Sequence, residues 1–182
     1  MTGQGDRNEQ TDAGDVDARR EPSDHGVAYD RADWAVERDV EDTESVAVGD
    51  RVAFAKTISA EDVEAFARVT GDTNRLHLDE DYAAGTRFGG PIVHGGLLVG
   101  VVGAALARLP GVVVYLSQEA SFDRPVGIGD RVRVTCTVRE QLGDGRYRVR
   151  TTIGGSYGND FVTGQARILV DDPPVDQTGS NR

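Results

Sequence analysis

Cysteine is nearly missing from this chain: Cys136 is the single one in 182 residues, which excludes an internal disulfide and any multi-cysteine metal site. Lysine is as scarce, since 19 of the 20 basic residues are arginine and Lys56 is the exception. That bias, with an excess of acid, suggests a GC-rich genome and a salt-loving host. No apolar run reaches the roughly 20 residues that a bilayer crossing needs. The longest, about Ile92 to Leu109, is broken by Gly96, Gly100 and Gly103 and followed by Pro110, so a membrane span is not expected. The polar opening Met1-Thr-Gly-Gln-Gly-Asp lacks the apolar stretch of a signal peptide, which makes a cytoplasmic protein the expectation. A G-x-S-x-G elbow is absent, as are the glycine-rich loops of Walker or dinucleotide type, which argues against a serine hydrolase and against those nucleotide folds.

The formal net charge is −11, and little of it lies in the middle of the chain. Residues 1–50 hold 15 acids and 5 arginines, residues 51–170 hold 13 acids and 14 bases, and residues 171–182 hold 3 acids and 1 arginine. An acidic tail repels nucleic acid, and the near-neutral remainder has no dominant basic field, so no nucleic-acid partner is expected. Residues 1–44 have too few large apolar groups to offset the entropy of ordering. They are expected to form a disordered acidic arm, in which Trp34-Ala-Val alone docks on the body. Residues 171–182 read as a second tail, leaving 45–170 as one folded domain.

Within that domain Val48–Ile58 has the β-branched content of a strand. Ser59 stands three residues before Asp62, a capping-box spacing. Val63, Phe66, Ala67 and Thr70 then follow at helical intervals, and Gly71 lies where a helix would end. Asp72–Asp79 has neither period and reads as loop, with a short helical turn at Glu80–Ala84 stopped by Gly85. The Ile92–Leu109 segment is apolar on every side and reads as a buried helix. Downstream come Val112–Leu116 continuing toward Pro125, Arg131–Arg139 with Val132, Val134, Cys136 and Val138 on one face, and a Gly143-Asp-Gly145 turn. Arg146–Ile153, with Tyr147, Val149 and Ile153 inward, and a last strand over Phe161–Val170 complete the set. The fold class is therefore α+β, an antiparallel sheet curled about one long helix.

One constellation carries chemistry. Asp72 and His77 lie five apart after a helix, and His94 and Gly95 open the buried helix. If the loop folds over that opening, a carboxylate and an imidazole meet backbone N–H groups that have no partner inside the helix. That is equipment for proton transfer beside a developing oxyanion. The spacing of Asp72 and His77 alone supports only a polar loop; the pairing with the helix start makes it a site. His94 reads as a supporting histidine. Asp72, His77, Asp79 and His94 could in principle ligate zinc or iron, but no compact ligand motif accompanies them, so neither metal nor cofactor is expected.

The segments Ser59-Ala-Glu-Asp-Val through Gly71-Asp-Thr-Asn-Arg-Leu-His-Leu-Asp79, and then Phe88-Gly-Gly-Pro-Ile-Val-His-Gly-Gly-Leu-Leu, resemble the MaoC-like, (R)-specific enoyl-CoA hydratases. The likeness covers about residues 46–170. It implies a hot-dog fold and a homodimer, and an acyl-CoA thioester as substrate. It also implies syn hydration of a trans-2-enoyl-CoA by Asp72 and His77, with Asn74 supporting the loop, the Gly95 N–H at the thioester oxygen, and His94 and Gly96 as supporting or substrate-binding residues. Arg75 stands where many relatives have proline. Gly103 is the position aligned to a serine that some relatives carry near the aspartate. A thioesterase or acyl-carrier-linked dehydratase of the same fold is the alternative, and a non-catalytic acyl-CoA-binding protein a third.

One feature lies outside the resemblance. Arg131, Arg133 and Arg139 share the outward face of one strand, and Arg146, Arg148 and Arg150 that of its hairpin partner. Like charges facing across strands are destabilising unless compensated. The compensation is nearby acids, the phosphates of CoA at a dimer edge, or the acidic arm folding back.

Overall fold

The computed structural model describes residues 31–40, 46–155 and 160–173. The expected disorder of 1–30, 41–44 and 174–182 falls outside those residues. A compact body begins at Ala32.

Ten elements follow in chain order: β1 Ala35–Arg38, β2 Arg51–Thr57, α1 Ala60–Thr70, α2 Arg75–Leu78, α3 Glu80–Ala84, α4 Gly95–Leu106, β3 Val112–Phe122, β4 Arg131–Gly143, β5 Arg146–Gly154 and β6 Asp160–Asp171. The strands form one antiparallel sheet in the order β1-β2-β4-β5-β6-β3. α4 lies on its inner face. Alternation decides which side of each strand is buried: Val132, Val134, Cys136 and Val138 of β4 and Val149 and Ile153 of β5 are at most 1% exposed. Leu98, Val101, Val102, Ala105 and Leu106 of α4 complete the core. A fully buried Val or Leu side chain contributes about 1.5–3 kcal/mol, so this layer outweighs any ion pair on the outer face.

β4 and β5 are joined by a two-residue turn. Asp144 (φ 52°) and Gly145 (φ 69°) both have positive φ, the geometry that matches the twist of a hairpin.

α1 starts as its sequence predicts. Ser59 Oγ accepts the Asp62 N–H at 3.2 Å, and an Asp62 oxygen accepts the Ser59 N–H at 2.8 Å. The other Asp62 oxygen binds Lys56, the chain's one lysine, at 2.7 Å. This pair ties α1 to β2. Burial raises the Asp62 carboxyl's pKa, but the hydrogen bonds from Lys56 and Ser59 outweigh it and leave it below the ordinary value.

The structure corrects the reading in three places. Part of the expected arm is strand, since β1 pairs with β2, while Trp34 docks on the body as expected, edge-on to Phe54 at 5.3 Å. Asp72–Asp79 is not all loop, because Arg75–Leu78 forms the short helix α2. α4 is not buried all round among the described residues, because Gly96 and Gly100 are exposed. On the outer face, Glu37 of β1 grips Arg133 with two hydrogen bonds (2.9 and 2.6 Å), and the Asp33 carbonyl accepts from Arg131. Arg148 pairs with Glu140 at 2.6 Å and Arg146 with Asp144 at 3.4 Å. Of the six arginines of the stripe, Arg131 and Arg133 are thus met by the expected arm and Arg146 and Arg148 by nearby acids.

Ser59→Ala is expected to cost about 1 kcal/mol in urea unfolding. Asp62 has a lowered folded pKa, so its contribution is present above the unfolded value of about 3.9 and is lost as pH falls through the folded value. Asp62→Asn should therefore be less stable than wild type near neutral pH and converge with it in acid. A difference that stays constant down to that range would contradict the pairing.

Candidate active site

α1 ends because Gly71 takes the left-handed conformation (φ 77°), with its N–H on the Ala67 carbonyl at 2.9 Å. Asp72 is the next residue, exposed, its N–H 3.3 Å from Thr70 Oγ1. Asn74 then caps α2, its Oδ1 accepting the Leu76 N–H at 3.0 Å. This single turn presents His77.

Two imidazoles lace the segment to the start of α4. His77 Nδ1 lies 2.7 Å from the Ile92 carbonyl. A carbonyl only accepts, so Nδ1 carries the proton and Nε2 keeps a lone pair. His94 Nε2 lies 3.0 Å from the Asp72 carbonyl, which by the same reasoning leaves its Nδ1 as the acceptor. That nitrogen is buried without a hydrogen-bond partner among the described residues. The Ile92 N–H adds a third tie, to the Leu76 carbonyl at 3.3 Å. The two rings lie tilted by 34° with centroids 3.8 Å apart, and the Phe66 ring lies 5.0 Å from that of His94.

His94 is also the residue from which α4 departs, and no side chain caps that end. The first N–H groups, beginning at Gly95, carry the positive end of the helix dipole. A Cβ on Gly95 would come within 2.9 Å of the Phe122 ring, and one on Gly96 within 2.9 Å of the Phe66 ring. Gly95 and His77 border a cavity of about 380 Å³ whose other walls include Leu98, Phe122, Arg87 and Arg124. Asp72 does not line this cavity, but Asp72, His77 and His94 each offer one polar atom, all within 4.8 Å of one another. That donor set has the composition of a zinc or iron site. The two imidazoles are tilted by 34° to each other, and each already gives one nitrogen to a backbone carbonyl, His77 Nδ1 to Ile92 and His94 Nε2 to Asp72.

The structure therefore brings Asp72, His77, His94 and Gly95 together, with Asn74 as the cap that turns the chain between them. Gly96 is not on the cavity wall and serves the packing of Phe66. A Cβ on Gly103 would meet the Tyr115 ring at 3.7 Å, and the support of Asp72 comes instead from His94. Burial pushes the Cys136 thiol up to about 12, which removes it as a nucleophile. Phe122, Arg87, Arg124 and the Ile92 carbonyl went unread in the sequence. Ile92 shows there only as an apolar residue, and its part is played by the backbone.

The sequence model described as MaoC like domain matches residues 42–156. The chain is 42% identical over 130 residues to a 3-hydroxybutyryl-CoA dehydratase of Methylorubrum extorquens, covering 70% of this chain and 82% of that protein. It is 37% identical over 129 residues to an (R)-specific enoyl-CoA hydratase of Rhodospirillum rubrum, covering 70% and 90%. Among solved structures it is similar to the unliganded R-hydratase PhaJ1 of Pseudomonas aeruginosa, with a TM-score of 0.69 and 32% identity over 81% of this chain and 99% of that one. The sheet around α4 is the hot-dog fold.

Asn74→Ala is expected to cost about 1 kcal/mol through loss of the cap. His94→Leu removes the donor to the Asp72 carbonyl and should cost about 1–3 kcal/mol. Both act on one short segment, so a double-mutant cycle by urea unfolding should show coupling above about 0.5 kcal/mol. Additive losses would mean that the segment is not held as a unit.

Proposed function

The chain belongs to the MaoC-like family, and from that premise we propose that it catalyses the reversible syn addition of water to a trans-2-enoyl-CoA, giving the (R)-3-hydroxyacyl-CoA. One observation carries the reading: the uncapped start of α4 and His77 border one cavity, and an Asp72 carboxylate oxygen lies within 4.8 Å of an imidazole nitrogen of His77 and of one of His94. The thioester oxygen rests on the Gly95 N–H, with the acyl chain against Leu98 and Phe122. Arg87 and Arg124 offer positive charge to the phosphates of CoA. Water sits between the Asp72 carboxylate and the free Nε2 of His77. This pair takes a proton from the water as its oxygen bonds to the β-carbon, and the double-bond electrons move toward the thioester oxygen. A hydrogen bond to that oxyanion is worth about 3 kcal/mol of barrier. The pair then returns the proton to the α-carbon on the same face, and the thioester re-forms. Reversal dehydrates the hydroxyacyl thioester.

The working unit in this reading is a homodimer in the cytoplasm. β3 is an edge strand that leaves Val114, Leu116 and Phe122 exposed at 40%, 46% and 54%. An unpaired apolar edge invites a second strand. A second copy along β3 would cover it together with the exposed glycines of α4.

Wild-type protein is expected to bleach the enoyl-thioester absorbance of crotonyl-CoA, and Asp72→Asn or His77→Gln to slow this by about 10²–10⁴-fold. Release of free CoA thiol in place of a hydroxyacyl product would replace the hydratase by a thioesterase. Leu116→Glu should shift the mass measured by light scattering from two chains to one, and a wild-type mass of one chain would refute the dimer.

A further inference from the structure

The arginines of the outer face are not all answered by acids. Arg131, Arg133, Arg146 and Arg148 each have the partner described above. Arg51, Arg139 and Arg150 have no carboxylate or hydrogen-bond partner among the described residues. Arg51 acts electrostatically on Glu37, but Arg133 already holds that carboxylate. These three are neighbours through the strand register: Arg51 of β2 lies opposite Thr137 of β4, which lies opposite Arg150 of β5. Arg139 follows Thr137 on the same face.

Together with Thr135 and Thr152 they line a depression of about 340 Å³, with Asp160 at the Thr152 end. Cations collected in register on a sheet repel one another unless an anion joins them. Three exposed guanidinium forks around a hydroxyl floor make a donor-rich surface suited to tetrahedral oxyanions. Adjacent strands are about 4.8 Å apart, so Arg51 and Arg150 straddle Thr137 at about 10 Å between backbones. From that separation both long side chains can reach one pyrophosphate-sized group. The Asp160 carboxylate would repel phosphate but accept a hydrogen bond from a hydroxyl, as on a ribose.

We propose that this outer-face depression is a binding site for a small molecule carrying linked phosphoryl groups, held by Arg51, Arg139, Arg150 and Thr137. It lies on the face of the sheet opposite α4 and shares no residue with the cavity at Gly95, so it does not depend on the hydratase reading.

Isothermal titration of the full chain at low salt tests it with three ligands: inorganic pyrophosphate, ADP and CoA. Saturable one-site binding of pyrophosphate is expected, weakened about tenfold or more in Arg150→Gln, which loses a charged donor. The affinity should also fall steeply with salt. Tighter binding of ADP than of pyrophosphate, with the gain lost in Asp160→Ala, assigns the ligand to the nucleotides; equal binding assigns it to free phosphates. CoA binding that Arg150→Gln leaves unchanged belongs to the cavity at Gly95. Absence of saturable pyrophosphate binding, or wild-type affinity retained in both Arg51→Gln and Arg150→Gln, overturns the site. Arg51 and Arg150 are exposed, so both variants should fold, and crotonyl-CoA turnover in them reports separately on the reaction proposed above.

Discussion

The hydrogen bonds from His77 to the Ile92 carbonyl and from His94 to the Asp72 carbonyl decide what this fold can do. They cross the same gap in opposite directions, joining residues 15 and 22 apart in sequence. Each fixes a tautomer, so His77 is left with a lone pair at Nε2. Each also uses a main-chain carbonyl, which cannot be altered by substitution and cannot rotate away. The Asp72 carboxylate stands on an exposed turn whose backbone is held by His94, the residue at the start of α4, and the proposed role as a base relies on that tie.

The rest of the fold serves this junction. The capping box at Ser59 and the Lys56–Asp62 pair fix where α1 begins, and Gly71 fixes where it ends. Asp72 therefore emerges at a defined point beside α4. α4 is anchored in turn by apolar burial on the sheet, while its first turn is left uncapped. Gly95 lets the Phe122 ring close over that turn, placing an apolar wall beside unsatisfied N–H groups. A low-dielectric wall strengthens the pull of those groups on developing charge.

Much of this was legible in the sequence, for physical reasons that can be named. Strict alternation in β4 and β5, helical spacing in α1 and the glycine-flanked turn are local patterns, and each became the element expected. α2 was not legible, because four residues show no period; its signal was Asn74, a cap residue two before the Leu76 N–H it binds. β1 was hidden by its acidity. Glu37 counted there as a mark of disorder, whereas in the fold it neutralises Arg133 across the sheet edge. At the site, Asp72, His77 and Gly95 came from side chains at fixed spacing and from a resemblance. The Ile92 carbonyl and the Phe122 ring are contributions of backbone and of a distant strand, which spacing does not report.

The proposed chemistry turns on which nitrogens of two rings carry protons, and nitrogen-detected NMR of ¹⁵N-histidine-labelled protein reads them directly. With His25 assigned through His25→Gln, and at a pH where the imidazoles are neutral, His77 should be the Nδ1–H tautomer and His94 the Nε2–H tautomer. His77 found as the Nε2–H form would leave no lone pair toward the water and would contradict the mechanism built on it.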